Sequence, residues 1–316
     1  MVRIVFLGTP AFAVPTLERL LASPHEVVAV VTQPDRPRGR GQRVSESPVK
    51  LLAAGGGLPV LQPERMKDPA FVEALGALAP DLGVVAAYGK MLPDQLLALP
   101  RLGMINVHAS LLPAYRGAAP IHRAVMAGET ETGITIIRLV REMDAGPMLR
   151  RAALPIDPDD DAETLERALA ALGAVTLLQA VDDLESGRAA EEEQDHARAT
   201  FAPRLTRADG AIDWSRTAGQ VHDQVRGLHP WPRAFSHLGG ARYLIHRTTV
   251  VEPPDGAPTV PGTVLEAAGD RLVVAAGSGT AVAILEIQPE GRRALPARAF
   301  LAGHPIAPGT AFKTSA

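Results

Sequence analysis

The chain of 316 residues contains no cysteine, which excludes disulfides, zinc–thiolate centres and cysteine nucleophiles. That composition fits a reducing compartment. No stretch reads as long and apolar enough to span a bilayer. The run Met1-Val2-Arg3-Ile4-Val5-Phe6-Leu7-Gly8 reads as a buried strand entering a turn, not as a signal peptide. The expected location is the cytoplasm, with no membrane partner. Several catalytic signatures are also missing. There is no Gly-x-x-x-x-Gly-Lys-Ser/Thr loop, no His-Glu-x-x-His and no Gly-x-Ser-x-Gly, which argues against P-loop nucleotidases, zinc peptidases and serine hydrolases. The first turn, Gly8-Thr9-Pro10-Ala11-Phe12, is not Gly-x-Gly-x-x-Gly, so a nicotinamide dinucleotide site has weak support. No metal site is evident.

The residues present are ordinary for a soluble globular protein: 46% hydrophobic and 21% charged. The length suggests two domains. A net charge of −3 conceals an asymmetry, because residues 157–195 hold 13 acidic side chains against Arg167 and Arg188, while the regions on either side are basic. A polyanionic substrate can therefore meet basic surface despite the overall sign. The acidic segment by itself fits a solvated helix face.

Apolar runs at Val2–Leu7, Glu26–Val31, Asp81–Ala86, Gly103–His108, Gly133–Leu139 and Met148–Leu154 read as strands. Helical spacing intervenes at Ala11–Leu21, Ser47–Ala54, Ala70–Leu78 and Ala118–Ala127, with a long helix over Ala162–Leu184. Alternating strands and helices predict an open, mostly parallel α/β sheet. Ser186–Leu205 is polar and without period, a linker by composition. Beyond it a helix at Thr217–Gly227 precedes short strands at Ala234–His237, Tyr243–Val251, Gly262–Glu266, Arg271–Ala276 and Ala281–Gln288, the pattern of a small β-barrel. The expected domains are 1–188, a linker over 189–205, and 206–316.

The most informative stretch is Asn106-Val107-His108 followed by Ser110-Leu111-Leu112-Pro113. Side chains alternate along a strand, so Asn106 and His108 share a face. An amide donor beside an imidazole at a strand end suits acyl-type chemistry, one holding a developing oxyanion and the other handling a proton. The two residues alone fit equally a pair of hydrogen-bonded near-core side chains. Ser110 reads as a structural turn residue. Asp144, in Met143-Asp144-Ala145-Gly146-Pro147, is by residue type a turn former; as a functional group it would orient His108 or raise its basicity. The loop Gln33–Arg43 carries Arg36, Arg38, Arg40 and Arg43 among Pro and Gly, which keep it out of regular structure. Four guanidinium groups there suit a phosphate clamp, or simply a solvated loop.

Taken together, these segments resemble the methionyl-tRNA formyltransferase family over nearly the whole chain. The resemblance rests on Phe6-Leu7-Gly8-Thr9-Pro10, Gln33-Pro34-Asp35-Arg36-Pro37, Ser47-Pro48-Val49-Lys50, Ala87-Tyr88-Gly89, Asn106-Val107-His108 and Tyr115-Arg116-Gly117-Ala118-Ala119-Pro120-Ile121. It continues through Ala202-Pro203-Arg204-Leu205-Thr206, Ile212-Asp213-Trp214, Pro230-Trp231-Pro232 and Gly303-His304-Pro305. It implies a Rossmann-like domain followed by an OB-like barrel, and transfer of a formyl group from 10-formyltetrahydrofolate to the amine of initiator methionyl-tRNA. It further implies Asn106, His108 and Asp144 as the catalytic set, and folate contacts at Ala86, Tyr88, Gly89, Leu92, Ser110, Leu111, Leu112, Pro113 and Met143. Arg36, Arg38, Arg40 and Arg43 are the implied tRNA contacts, and a monomer is expected. Two departures stand out. Leu139–Gly146 keeps only the Asp and Gly of the usual Leu-Asp-Thr-Gly turn, and Arg233 follows Pro-Trp-Pro where Gly is usual. Rival readings are a formyltransferase acting on a sugar-nucleotide or purine-precursor amine, against which the barrel and Arg loop argue, and a non-catalytic RNA-binding protein, against which Asn106, His108 and Asp144 argue.

Overall fold

The computed structural model describes residues 1–38, 43–256 and 260–315. These fall into two compact units: residues 1–120, 131–155 and 166–202, and residues 121–130, 156–165 and 203–316.

Strands of the first unit are β1 (Arg3–Gly8), β2 (Glu26–Val31), β3 (Arg36–Arg38), β4 (Arg43–Ser45), β5 (Val60–Leu61), β6 (Leu82–Ala86), β7 (Met104–His108), β8 (Arg116–Gly117), β9 (Glu131–Arg138), β10 (Met148–Pro155) and β11 (Phe201–Ala202). Seven form one sheet in the order β10-β9-β7-β6-β1-β2-β5. The five from β7 to β5 run parallel, while β9 and β10 are antiparallel to their neighbours. Parallel strands are covered on both faces, which is why β1 is a nearly unbroken apolar run with Ile4, Val5, Phe6 and Leu7 all fully buried. The chain moves outward from β1 to β2 and β5, then returns to place β6 on the other side of β1. That reversal opens a crevice at the carboxyl ends of the strands, where open α/β sheets bind their ligands.

The helices are α1 (Val14–Leu21), α2 (Pro48–Gly55), α3 (Pro69–Ala77), α4 (Asp94–Leu97), α5 (Pro120–Met126) and α6 (Ala162–Glu185); all but the single turn of α4, too short to show a period, match helical spacing in the sequence. In α6, Leu169, Leu177 and Val181 are fully buried. Gly173 lets the helix lie directly on the sheet, because a Cβ there would stand 2.9 Å from Val107 Cγ1 and 3.4 Å from Ile134 Cδ1. Val107 lies between Asn106 and His108, so α6 supports one face of β7 while the two polar side chains take the other.

The expectation that no segment could cross a bilayer is corrected by α6. Within its 24 residues an 18-residue window has mean hydropathy 1.3, which by length and composition is enough to cross a bilayer, although half of that window is buried within the protein. Its apolar residues are accounted for by the sheet they cover. A second difference lies in the Arg loop, where the sequence reads irregular backbone but β3 and β4 pair antiparallel, Arg36 with Ser45 and Arg38 with Arg43. Pro37 is tolerated because this two-stranded ribbon is all edge.

The second unit contains α7 (Ala218–Gly227), α8 (Ala297–Gly303) and strands β12 (Ala234–Leu238), β13 (Ala241–Val251), β14 (Val264–Ala268), β15 (Arg271–Ala275), β16 (Ala281–Pro289), β17 (Leu295–Pro296) and β18 (Phe312–Lys313). They form a curled antiparallel sheet in the order β14-β15-β16-β13-β12-β18, with β17 on β16. A bridge between Thr263 and Ala311 draws its two ends together, as an OB-like barrel requires. Trp214 is buried there and donates to Ser236 Oγ at 2.9 Å, with its ring against Phe312. The five strands legible in the sequence all appear; β17 and β18, at two residues each, are too short to show a period.

Candidate active site

Asn106 and His108 end β7 at the carboxyl edge of the sheet, beside Val85 and Ala86 of β6 and Thr135 of β9. The Asn106 side chain is half-buried. Among the described residues its amide takes no hydrogen-bond partner from the protein, which leaves donor and acceptor free for a ligand.

His108 is 5% exposed and its ring is held through Nε2. Nε2 lies 3.0 Å from the Tyr115 carbonyl oxygen. A carbonyl can only accept, so Nε2 carries the proton. Nδ1 then faces Asp144 Oδ2 at 3.6 Å, an ion-pair distance too long for a hydrogen bond. Nδ1 is thus the ring nitrogen without a proton, and the carboxylate lies on its side of the ring. Asp144 is itself held by the Gly117 amide, which donates to Oδ2 at 2.9 Å. Tyr115 and Asp144 adopt left-handed backbone, φ +61° and +50°. Such conformations cost energy in residues other than glycine and persist where the surroundings enforce them.

The enforcing contacts come from residues 194–202, which lack any period in the sequence. Gln194, almost fully buried, donates to the carbonyls of Asp144 (2.8 Å) and Gly146 (2.7 Å). Its Oε1 accepts from Arg116 Nε at 3.1 Å and Nη2 at 2.6 Å. The buried Arg116 guanidinium also meets His196 Nδ1 at 3.0 Å, and among the described residues it has no carboxylate partner. The Tyr115 amide donates to Thr200 Oγ1 at 2.9 Å, and β8 pairs with β11 in parallel. Gly117 is required at this junction: its φ is +122° and a Cβ would stand 2.8 Å from the Ala202 carbonyl oxygen. Sequence reasoning missed Gln194 and Thr200, because a lone polar side chain in an aperiodic stretch carries no signal until its partner is known.

The nine expected folate contacts divide. Met143 is 56% exposed, and Leu92 and Leu139 are half-buried at the rim of an apolar cluster. Together with the backbone at Ala86 and Gly89, the half-buried Leu111 and Pro113, they offer apolar surface and backbone polar groups suited to a flat heteroaromatic ligand. The side chains of Tyr88, Ser110 and Leu112 need correcting. Tyr88 lies in the core with its phenol on Met66 Sδ at 3.0 Å, and burial pushes that phenol up to about 12. Ser110 donates to the Ala114 carbonyl at 2.6 Å, and Leu112 is buried with Ile137 and Met148. The backbone of each is engaged as well: the Tyr88 carbonyl accepts from Gln33 Nε2 and the Thr9 hydroxyl, the Ser110 carbonyl accepts from the Thr135 hydroxyl, and the Leu112 amide donates to that same hydroxyl. Tyr88→Phe is thus expected to leave activity within about twofold and stability within ~1 kcal/mol, since only a weak sulfur acceptor is lost; steady-state kinetics and urea denaturation measure both.

Of the four loop arginines, Arg36 is exposed beside an open cavity with Thr9 and Gln33. Arg40 lies outside the described residues, as do the side chains of Arg38 and Arg43.

Comparison with known proteins bears on this arrangement. A family model described as formyl transferase matches residues 2–181, and one described as the formyl transferase C-terminal domain matches residues 204–305. A methionyl-tRNA formyltransferase of Geobacter sulfurreducens is 47% identical over 308 residues, covering 98% of this chain and 96% of the relative. One from Desulfotalea psychrophila is 48% identical, covering 99% and 96%. Among solved structures, an N-formyltransferase from Helicobacter canadensis in complex with folinic acid and dTDP-3-aminofucose shares the fold at TM-score 0.69 and 16% identity, over 92% of this chain and all of that one. A methionyl-tRNA formyltransferase from Clostridium thermocellum does so at TM-score 0.54 and 16% identity, over 79% and 93%.

Proposed function

The chain belongs to the methionyl-tRNA formyltransferase family, and from that premise we propose that it moves the formyl group of 10-formyltetrahydrofolate onto the α-amine of initiator methionyl-tRNA. The product, N-formylmethionyl-tRNA, serves translation initiation. The observation that supports the residue roles is the placing of Asn106 and His108 two apart on β7, with the Asn106 amide uncommitted among the described residues and His108 Nδ1 facing Asp144 at 3.6 Å.

The amine nitrogen bonds to the formyl carbon, the bond from that carbon to N10 breaks, and one proton passes from the amine to N10. Negative charge gathers on the formyl oxygen as the new bond forms. Asn106 donates a hydrogen bond to that oxygen. His108, fixed through Nε2, takes and returns the proton at Nδ1, and Asp144 stabilises the ring while it is charged. The folate supplies only the activated formyl group; Leu92, Leu111, Leu139 and Met143 give it an apolar wall. The enzyme works as a monomer in the cytoplasm.

Incubation with 10-formyltetrahydrofolate and charged initiator tRNA, beside uncharged tRNA and small amines, tests the reading. Formylmethionine should form only on the charged tRNA; formylation of a small amine in its place would overturn it. Arg40→Leu is expected to lower kcat/KM for tRNA, with an effect that shrinks as salt rises, because a lost phosphate contact matters less where phosphates are already screened. An unchanged kcat/KM would remove Arg40 from the interface.

A further inference from the structure

The ribbon β3–β4 carries the arginines expected to meet the tRNA, yet it belongs to no larger sheet: the two strands pair only with each other. An isolated pair of strands is marginally stable in water, so what aims this ribbon lies at its base. There Arg36 pairs with Ser45. Asp35 stands directly before the first strand and Glu46 directly after the second.

Both carboxylates meet one side chain. Lys50, in the first turn of α2, sets its ammonium 2.5 Å from Asp35 Oδ2 and 2.8 Å from Glu46 Oε1. Its backbone is fixed in turn: the Lys50 amide donates to Ser47 Oγ at 3.1 Å, and the buried Ser47 shares a 2.8 Å hydrogen bond with Thr32 just past β2. Asp35 has a second tie. Gln62, which follows β5, donates from Nε2 to Asp35 Oδ1 at 2.9 Å and to the Gln33 carbonyl at 3.0 Å. The Lys50 and Asp35 side chains are 20% and 22% exposed, so solvent weakens this pair less than an open surface pair. The chain thus enters the ribbon and leaves it beside a single ammonium that belongs to α2.

Charge matters here as much as geometry. Arg36 forms no ion pair among the described residues. With Lys50 in place the two carboxylates are occupied. Without it, two negative charges would stand at the base of the ribbon next to Arg36, where they would repel a phosphate and compete with it for the guanidinium. One ammonium therefore holds the feet of the ribbon together and keeps Arg36 uncommitted. Resting on the formyl-transfer reading above, we propose that Lys50 is a positioning residue for tRNA. It touches no substrate; it acts by tying both ends of the ribbon to α2 and by neutralising the carboxylates beside Arg36.

The test combines steady-state formylation of charged initiator tRNA by the full chain with amide hydrogen exchange of the free protein. Lys50→Met keeps the stem and removes the charge. It should raise KM for charged tRNA about tenfold, the order of one lost charge-assisted contact, with kcat and the KM for 10-formyltetrahydrofolate within about twofold. Lys50→Arg, which can still bridge two carboxylates, should stay within about threefold of the wild type. In an Arg36→Gln background Lys50→Met should add less than about threefold, because changes that act through one contact do not multiply. Exchange over residues 35–38 and 43–46 should speed in Lys50→Met and stay as it was in β1 and β6. An unchanged KM for tRNA, equal losses in kcat and in the folate KM, or losses that multiply in the double variant and so set Lys50 on the tRNA itself, would overturn the proposal. Failure of the wild type to formylate charged tRNA would instead sink the formyl-transfer reading. If Lys50→Met does not fold, Glu46→Gln at an exposed position opens one side of the tie; exchange over the same residues should then speed to a smaller degree, and unchanged exchange there would overturn the proposal as well.

Discussion

His108→Ala is expected to cut the single-turnover formylation rate by about 10²–10⁴, the usual loss when a proton-transfer group is removed. Asn106→Ala should lose about 10²–10³, as for a missing oxyanion donor. The two differ in what else they disturb. Asn106 binds no protein group among the described residues, so its removal should leave stability nearly unchanged. His108 is buried and satisfies the Tyr115 carbonyl; its loss should also cost about 1–3 kcal/mol. Rapid-quench formylation with charged tRNA, alongside urea denaturation of each variant, separates catalytic loss from unfolding. A near-normal single-turnover rate for His108→Ala would remove it from the chemistry.

Gln194→Leu is the second large effect. One side chain of nearly matching size then abandons the carbonyls of Asp144 and Gly146 and the guanidinium of Arg116 together. The carbonyls become unsatisfied, and Arg116 is left as a buried cation with only His196 beside it. Breaking such a buried charged network costs about 3–5 kcal/mol, so the urea midpoint should fall markedly. Activity should fall further than the unfolded fraction explains, because Asp144 is no longer held in left-handed backbone facing His108. Gln194→Glu, which keeps the acceptor for Arg116 and loses the two donors, should recover part of the stability and less of the rate. If both variants retained wild-type midpoints, the buried lattice would not be what supports the site.

These two cases show what was legible in the sequence and what was not. Alternation along a strand is local and strict, so Asn106 and His108 could be assigned to one face from spacing alone. Alternating strand and helix patterns likewise announced the sheet, and α6 announced itself by its leucines. Asp144 was harder: a turn aspartate is common, and by residue type a local turn role and the orienting of His108 fitted alike until the resemblance favoured the second. Gln194 and Thr200 were invisible, because they act through partners 48 to 85 residues away and follow no period. Tyr88 misled in the opposite direction. The resemblance set Tyr88 among the folate contacts, yet the chain turns at Ala87, φ +47°, and the ring packs in the core against Met66.

The return of residues 194–202 to the loop at Arg116 and Gly117 also bears on the order in which a nascent chain acquires its parts. During synthesis the N-terminal strands emerge first and can begin to pair, as domains generally do. The glutamine and threonine that brace Asp144 and Tyr115 come out of the ribosome only after α6 has followed all of the sheet. The long loop this closes makes it a late and slow step compared with local helix formation. The strand bearing Asn106 and His108 would thus exist well before its turn geometry is locked. A polypeptide ending at residue 188 would contain Asn106, His108 and Asp144 and none of the buttress, and the competent site would form only once residues 194–202 had followed.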